Sequence, residues 1–248
     1  MRRLTVLLLL AVLGAALTAG TVSARKQAQV TVYAASSLTD VFPAIDRTAR
    51  FSFAGSNALA TQLRNGAPGD VFASANTDIP AQLYAQGVVE RPVAFTRNAL
   101  VIVVPKSNPA GITSVFDLAR DGVKVDVANP SVPVGGYTQQ ILKNMSLTAR
   151  ITPNVVSQET DVREVLGKVA LGQVDAGFVY ATDARTVSKQ VTVVKLPAWA
   201  QPKVTYAMAV VARSENKAAA RAFVKKVLGK AGQATLAKYG FLPLPKAR

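Results

Sequence analysis

The chain of 248 residues carries 29 Lys and Arg against 14 Asp and Glu, net +15, and contains neither cysteine nor histidine. A disulfide scaffold, a Ser-His-Asp triad, a Cys-His pair and a histidine-ligated metal centre are therefore excluded. Half of the residues are hydrophobic and 6% aromatic; with no nucleic-acid-binding motif in view, the basic excess reads as a solvated surface or a field that draws small anions.

Met1-Arg-Arg precedes an apolar stretch from Leu4 to Leu17 and small residues at Val22-Ser23-Ala24. That is the layout of a secretory signal peptide. The stretch is shorter than the roughly 20 residues a membrane span needs, so residues 1–24 are set aside as a leader cleaved near Ala24. Leu17-Thr-Ala-Gly20 looks like a lipoprotein box, but Thr21 stands where the lipidated cysteine belongs. Release into a periplasm or the exterior is expected. Losing Arg2 and Arg3 leaves 27 basic residues against 14 acidic ones, net +13.

From residue 30 short β-like runs alternate with helical patterns, the signature of α/β architecture. Strands are predicted at 30–35, 51–54, 70–74, 99–105, 123–128, 154–157, 175–180, 191–196 and 204–212. Helices are predicted at 37–48, 56–65, 78–86, 113–119, 135–144, 161–171, 181–188, 215–229 and 231–238. In the segment from Glu215 to Lys238, Ala218, Ala222, Val224, Val227, Leu228 and Leu236 are expected to face the core. The apolar runs Ala99–Pro105 and Val204–Ala212 bracket about a hundred residues of α/β pattern. The simplest division places residues 25–105 plus 204–248 in lobe 1 and residues 106–203 in lobe 2, with two crossing segments as a hinge.

Four strand-to-helix turns stand out, near Ser37, Ser56, Val134 and Val162. A helix N-terminus has unpaired N–H donors and partial positive charge, so turns that converge could hold a small oxyanion without formal charge. Ser37-Leu-Thr-Asp40 reads as a capping box. Ser56 follows Gly55, which permits close backbone approach. Val134 lies between Pro133 and Gly135-Gly136, where only its N–H could matter. Val162 follows Asp161 at a helix start, and Tyr180 ends an apolar strand.

Several motifs resemble those of the molybdate-binding periplasmic proteins of ABC transporters. They are Tyr33-Ala-Ala-Ser-Ser-Leu-Thr39, Phe53-Ala-Gly-Ser-Asn-Ala-Leu59, Gly66-Ala-Pro-Gly-Asp-Val-Phe-Ala-Ser-Ala75, Asn129-Pro-Ser-Val-Pro-Val-Gly135, Glu159-Thr-Asp-Val-Arg163, Gly177-Phe-Val-Tyr-Ala-Thr-Asp183 and Lys238-Tyr-Gly-Phe241. The match spans nearly the whole mature chain. It implies a two-lobed type II periplasmic-binding-protein fold, each lobe a mixed, mostly parallel sheet flanked by helices. It implies Oγ and N–H from Ser37 and Ser56, backbone N–H from Val134 and Val162, and the phenol O–H of Tyr180 as the oxyanion ligands. Molybdenum would be held only as molybdate, or tungsten as tungstate, through these residues. The resemblance further implies a membrane permease as partner, with no cofactor and no catalysis; a monomer is expected.

One departure stands near the site: eight residues separate Phe42 from Phe51, where relatives have a longer segment, and Pro43 should shorten or kink the helix there. Molybdate and sulfate are fully deprotonated near neutral pH and only accept hydrogen bonds, which suits a pocket made of donors. Hydrogen phosphate would want an acceptor, for which Asp40 and Asp161 are the nearest candidates, although both read as helix-start residues. A binder of sulfate or another tetrahedral oxyanion is the alternative. Ser214-Glu-Asn-Lys217 matches S-x-x-K, but no S-D-N or K-T-G accompanies it, so a serine hydrolase is not expected.

Overall fold

The computed structural model describes residues 29–245; the leader expected at residues 1–24 lies outside the described residues. In chain order the elements are β1 Thr31–Ala35, α1 Val41–Ile45, β2 Arg50–Ala54, α2 Ser56–Arg64, β3 Val71–Ser74, α3 Asp78–Ala85, β4 Val93–Asn98 and β5 Leu100–Pro105. Then come β6 Val125–Ala128, α4 Pro133–Asn144, α5 Thr148–Ile151, β7 Val155–Glu159, α6 Val162–Ala170, β8 Ala176–Tyr180, α7 Ala181–Thr186, β9 Val191–Val194, β10 Val204–Val210, α8 Lys217–Leu228 and α9 Lys230–Lys238. No described helix is long and apolar enough to cross a membrane.

Two five-stranded mixed sheets result, ordered β2-β1-β3-β10-β4 and β7-β6-β8-β5-β9. In the first, β1 runs parallel to β2 and β3 while β10 is antiparallel to β3 and β4. In the second, β6 runs parallel to β7 and β8 while β5 is antiparallel to β8 and β9. Central strands such as β5 (LVIVVP) and β8 (AGFVY) are buried along their whole length because helices cover both faces of each sheet. The carboxyl ends of β1, β2, β6 and β7 lead directly into the four turns, the place where open α/β sheets put ligands.

The sheets correct the expected lobe boundary. Residues 99–105 are expected in lobe 1, but β5 pairs with β8 and β9, so the chain leaves the first sheet at Asn98 and enters the second at Leu100. The strand that completes the first sheet is β4, which the sequence reading missed. Its run Val93-Ala-Phe-Thr-Arg-Asn98 mixes exposed and buried positions as an edge strand does. The return crossing lies between β9 and β10. The two crossings are tied together by Gln201, whose amide donates to the Leu100 carbonyl at 2.7 Å and accepts from the Leu100 N–H at 3.1 Å.

The predicted helix 37–48 is broken. Ser36–Leu38 forms a 3₁₀ turn, and α1 is five residues long with Pro43 in its first turn. Asp46 ends it by accepting from the Thr48 N–H at 3.0 Å and pairing with Lys226 at 2.9 Å, which makes the short connection to β2 possible. Phe42 packs edge-on against Phe223 of α8, ring centroids 5.4 Å apart, and Phe223 also meets Phe51. This contact sets the rotation of α8: Ala219, Ala220 and Phe223 are buried, and of the expected core face Val227 and Leu236 are buried and Val224 is half-buried, whereas Ala218, Ala222 and Leu228 face solvent.

Candidate functional site

All five residues singled out in the sequence, Ser37, Ser56, Val134, Val162 and Tyr180, line one small, tightly closed cavity between the two sheets. Its other walls are Ala35, Ser36, Ala54, Gly55, Ala75, Val132 and Pro133. No arginine, lysine or carboxylate is among the lining residues. Among the described residues the lining carries no charged side chain, and its polar side chains are the hydroxyls of Ser36, Ser37, Ser56 and Tyr180.

Three turns deliver helix N-termini. Ser56 is the first residue of α2, Val134 the second of α4 and Val162 the first of α6. N–H groups of a first turn have no intrahelical acceptor. Pro133 at the start of α4 adds its preset φ and removes a donor that would have gone unused. Gly135 is required there, since a Cβ would overlap the carbonyl oxygens of Ala128 and Asn129. Asp161 caps α6, accepting from the N–H groups of Arg163 at 2.6 Å and Glu164 at 3.2 Å; the Val162 N–H is not spent on the cap.

The fourth turn differs from expectation. Ser37 is not an N-cap and forms no capping box with Asp40; it sits inside the 3₁₀ turn. Its Oγ lies 2.9 Å from the Tyr206 Oη. Asn98 donates to the same Oη at 3.3 Å and to the Thr182 Oγ1 at 2.8 Å. A phenol that accepts from Asn98 is free to donate to Ser37, which leaves the serine proton available to the cavity. Ser56 is supported in the same sense: its Oγ accepts from the Ala75 N–H at 3.2 Å, and its proton is uncommitted.

Tyr180 is 1% exposed, and its hydroxyl makes no hydrogen bond among the described residues. Burial holds its pKa well above the ordinary 10, so it stays a donor at any physiological pH. Burial does the same for Tyr206. A buried phenol without a partner costs stability unless something fills the space beside it.

Tyr206 and Asn98 were not found by the sequence reading. A lone phenol in the apolar run Val204–Ala212 was the available signal, because a buried tyrosine hydroxyl needs a partner. The candidate acceptors for a protonated anion point elsewhere. Asp161 is spent on its own helix, and Asp40 pairs with Arg163 on the outer side of the cavity. Ser214 and Lys217 do not form a nucleophile–base pair: Ser214 donates to Asp70 at 2.6 Å and Lys217 to Glu90 at 2.7 Å.

A donor-lined hollow between two α/β lobes joined by two crossing segments is the architecture of a solute-binding protein. The sequence profile of bacterial extracellular solute-binding proteins matches residues 30–242. The molybdate-binding protein ModA of Mycobacterium tuberculosis is 41% identical over 222 residues, covering 86% of this chain and 84% of that one. Among solved structures, the periplasmic molybdate-binding protein of Azotobacter vinelandii superposes with TM-score 0.77 at 22% identity, covering 88% of this chain and all of the other. The sulfate-binding protein SubI of M. tuberculosis superposes with TM-score 0.76 at 20% identity, covering 88% of each chain. The chain belongs to the bacterial extracellular solute-binding protein family, within the group of the ModA molybdate-binding proteins. Nearly equal superposition on a molybdate and a sulfate binder shows that the fold alone does not choose the anion.

Proposed function

We propose that the protein captures molybdate or tungstate in the cavity between its lobes and hands it to an ABC permease. The observation that carries this reading is the lining without a charged side chain: the hydroxyls of Ser37, Ser56 and Tyr180 and the helix-start residues Ser56, Val134 and Val162, whose main-chain N–H groups lack intrahelical acceptors, meet around one small hollow. A dianion that only accepts hydrogen bonds satisfies every such donor, and each bond to it is worth roughly 1.5–3 kcal/mol net. Hydrogen phosphate would bring a proton with no carboxylate among the lining residues to accept it.

Selectivity over sulfate then rests on size. A smaller anion fails to reach all the donors and leaves buried ones unpaired, at about 1–3 kcal/mol each. The protein works outside the cytoplasm, in a periplasm once the leader is cleaved near Ala24, as a monomer without catalysis. The lobes close on the anion by rotation about the crossings near Asn98 and between β9 and β10.

A thermal-shift series tests this. Molybdate at a thousand times its dissociation constant should add about 4 kcal/mol, a rise of about 8–16 °C for a protein of this size. Tungstate should match it, sulfate should give a much smaller shift, and phosphate none. Equal shifts with sulfate and molybdate would favour a general tetrahedral-anion binder; no shift with either would remove the reading.

A further inference from the structure

Arg163 follows Val162 directly and is absent from the cavity lining. Its guanidinium joins three elements. Nε lies 2.6 Å from the Asp183 Oδ1 on α7, Nη1 lies 3.5 Å from the Thr186 Oγ1, and Nη2 contacts Asp40 between the 3₁₀ turn and α1. Asp183 and Thr186 belong to the same lobe as Arg163, whereas Asp40 belongs to the facing lobe. The two carboxylates differ in burial: the Asp183 side chain is 0% exposed and that of Asp40 is 43% exposed.

That asymmetry assigns different roles to the two bonds. Separating Arg163 from a fully buried carboxyl is costly, so Asp183 holds the arginine in its own lobe, although burial outweighs Arg163 and raises the Asp183 pKa to about 7. A carboxylate that is already half in water can let go and be solvated, so the Arg163–Asp40 pair can open and close. Burial works against the arginine's charge, but Asp183 and Asp40 outweigh it and hold its pKa above the ordinary value. The arginine thus stays charged whichever partner it keeps.

We propose that Arg163 is a positioning residue for the anion site: fixed to Asp183 in its own lobe, it grips Asp40 of the facing lobe on closure and sets how long the Val162 amide stays over the bound anion. The inference rests on the oxyanion reading and deepens it. Asp40 and Arg163 touch no ligand; they act through the lobes.

The test is release of radiolabelled molybdate, chased with unlabelled molybdate, from wild type, Asp40→Asn and Arg163→Lys. Asp40→Asn keeps the Arg163–Asp183 pair, so the ligand-free melting temperature should stay within about 1 °C of wild type while release speeds about three- to fivefold in low salt. The difference should shrink in molar salt, where exposed pairs are screened. Arg163→Lys, a point charge without the guanidinium fork, should release at an intermediate rate. Unchanged release in Asp40→Asn overturns the latch while the oxyanion reading stands. A fall in ligand-free stability matching any change in release also overturns it, since the pair would then be structural. A wild type that retains no molybdate takes both down together.

Discussion

Gly55→Ala should weaken molybdate binding by roughly 5- to 150-fold while leaving the ligand-free protein as stable as wild type. Gly55 caps α2 with φ −58°, a conformation open to any residue, so the methyl group brings no backbone strain. In the closed arrangement, however, a Cβ at this position lies well inside contact distance of the Thr160 carbonyl, main chain of the opposite lobe. Relief requires the lobes to part by a fraction of an ångström or more. Overpacking of this kind costs about 1–3 kcal/mol and falls on the closed state, because the near atom in Gly55's own lobe, Asn57 Oδ1 at 2.8 Å, ends a side chain that can turn away. Calorimetric titration and a ligand-free melting curve separate the two effects. Equal affinity would mean that closure over Gly55 is not needed for capture; a large drop in ligand-free stability would mean that the contact belongs to the resting fold.

Tyr180→Phe carries the second large effect, and its logic is the reverse of an ordinary core substitution. The phenol hydroxyl is buried and has no partner among the described residues, so removing it breaks no protein hydrogen bond. The ring stays, along with its edge contact to Tyr206 at 5.7 Å between centroids. Ligand-free stability should hold or rise slightly. Affinity should fall by about 10- to 150-fold, the cost of one charge-assisted bond at roughly 1.5–3 kcal/mol. Full affinity in the variant would remove Tyr180 from the site. Ser56→Ala is a less clean comparison, because Ser56 Oγ also accepts the Ala75 N–H and its loss leaves that amide unpaired.

Much of this was legible in the chain because the signals are local. Buried strands announce themselves as apolar runs, and the turns after Ala35, Ala54, Ala128 and Glu159 fall at strand ends, where N-terminal amides are exposed by geometry alone. The motif resemblance then singled out Val134 and Val162, whose side chains give no chemical hint of a role, and both line the same cavity as the serines and Tyr180.

The parts that were not legible depend on distance along the chain. Ser37 was read as a cap from Asp40 three residues on, but its partner is Tyr206, 169 residues away. The long apolar run ending at Pro105 is equally at home in either sheet. Its membership is decided by pairing with β8 and β9, which no pattern within the run reveals. The edge strand β4 was missed because half-exposed strands lack a continuous apolar run. The Asp40–Arg163–Asp183 grouping joins three segments far apart in the chain, and of its members only Asp40 had a reading from the sequence, as a helix-start acid.

The most direct check is to crystallise the protein with molybdate and locate the metal by its anomalous scattering. The oxyanion should appear between the turns at Ser37, Ser56, Val134 and Val162, within hydrogen-bond reach of the Tyr180 hydroxyl, with no cationic side chain touching it. Density for molybdenum beside Arg163, Arg185 or Lys238 in the outer clefts, with the inner hollow empty, would contradict the idea that neutral donors alone hold the dianion.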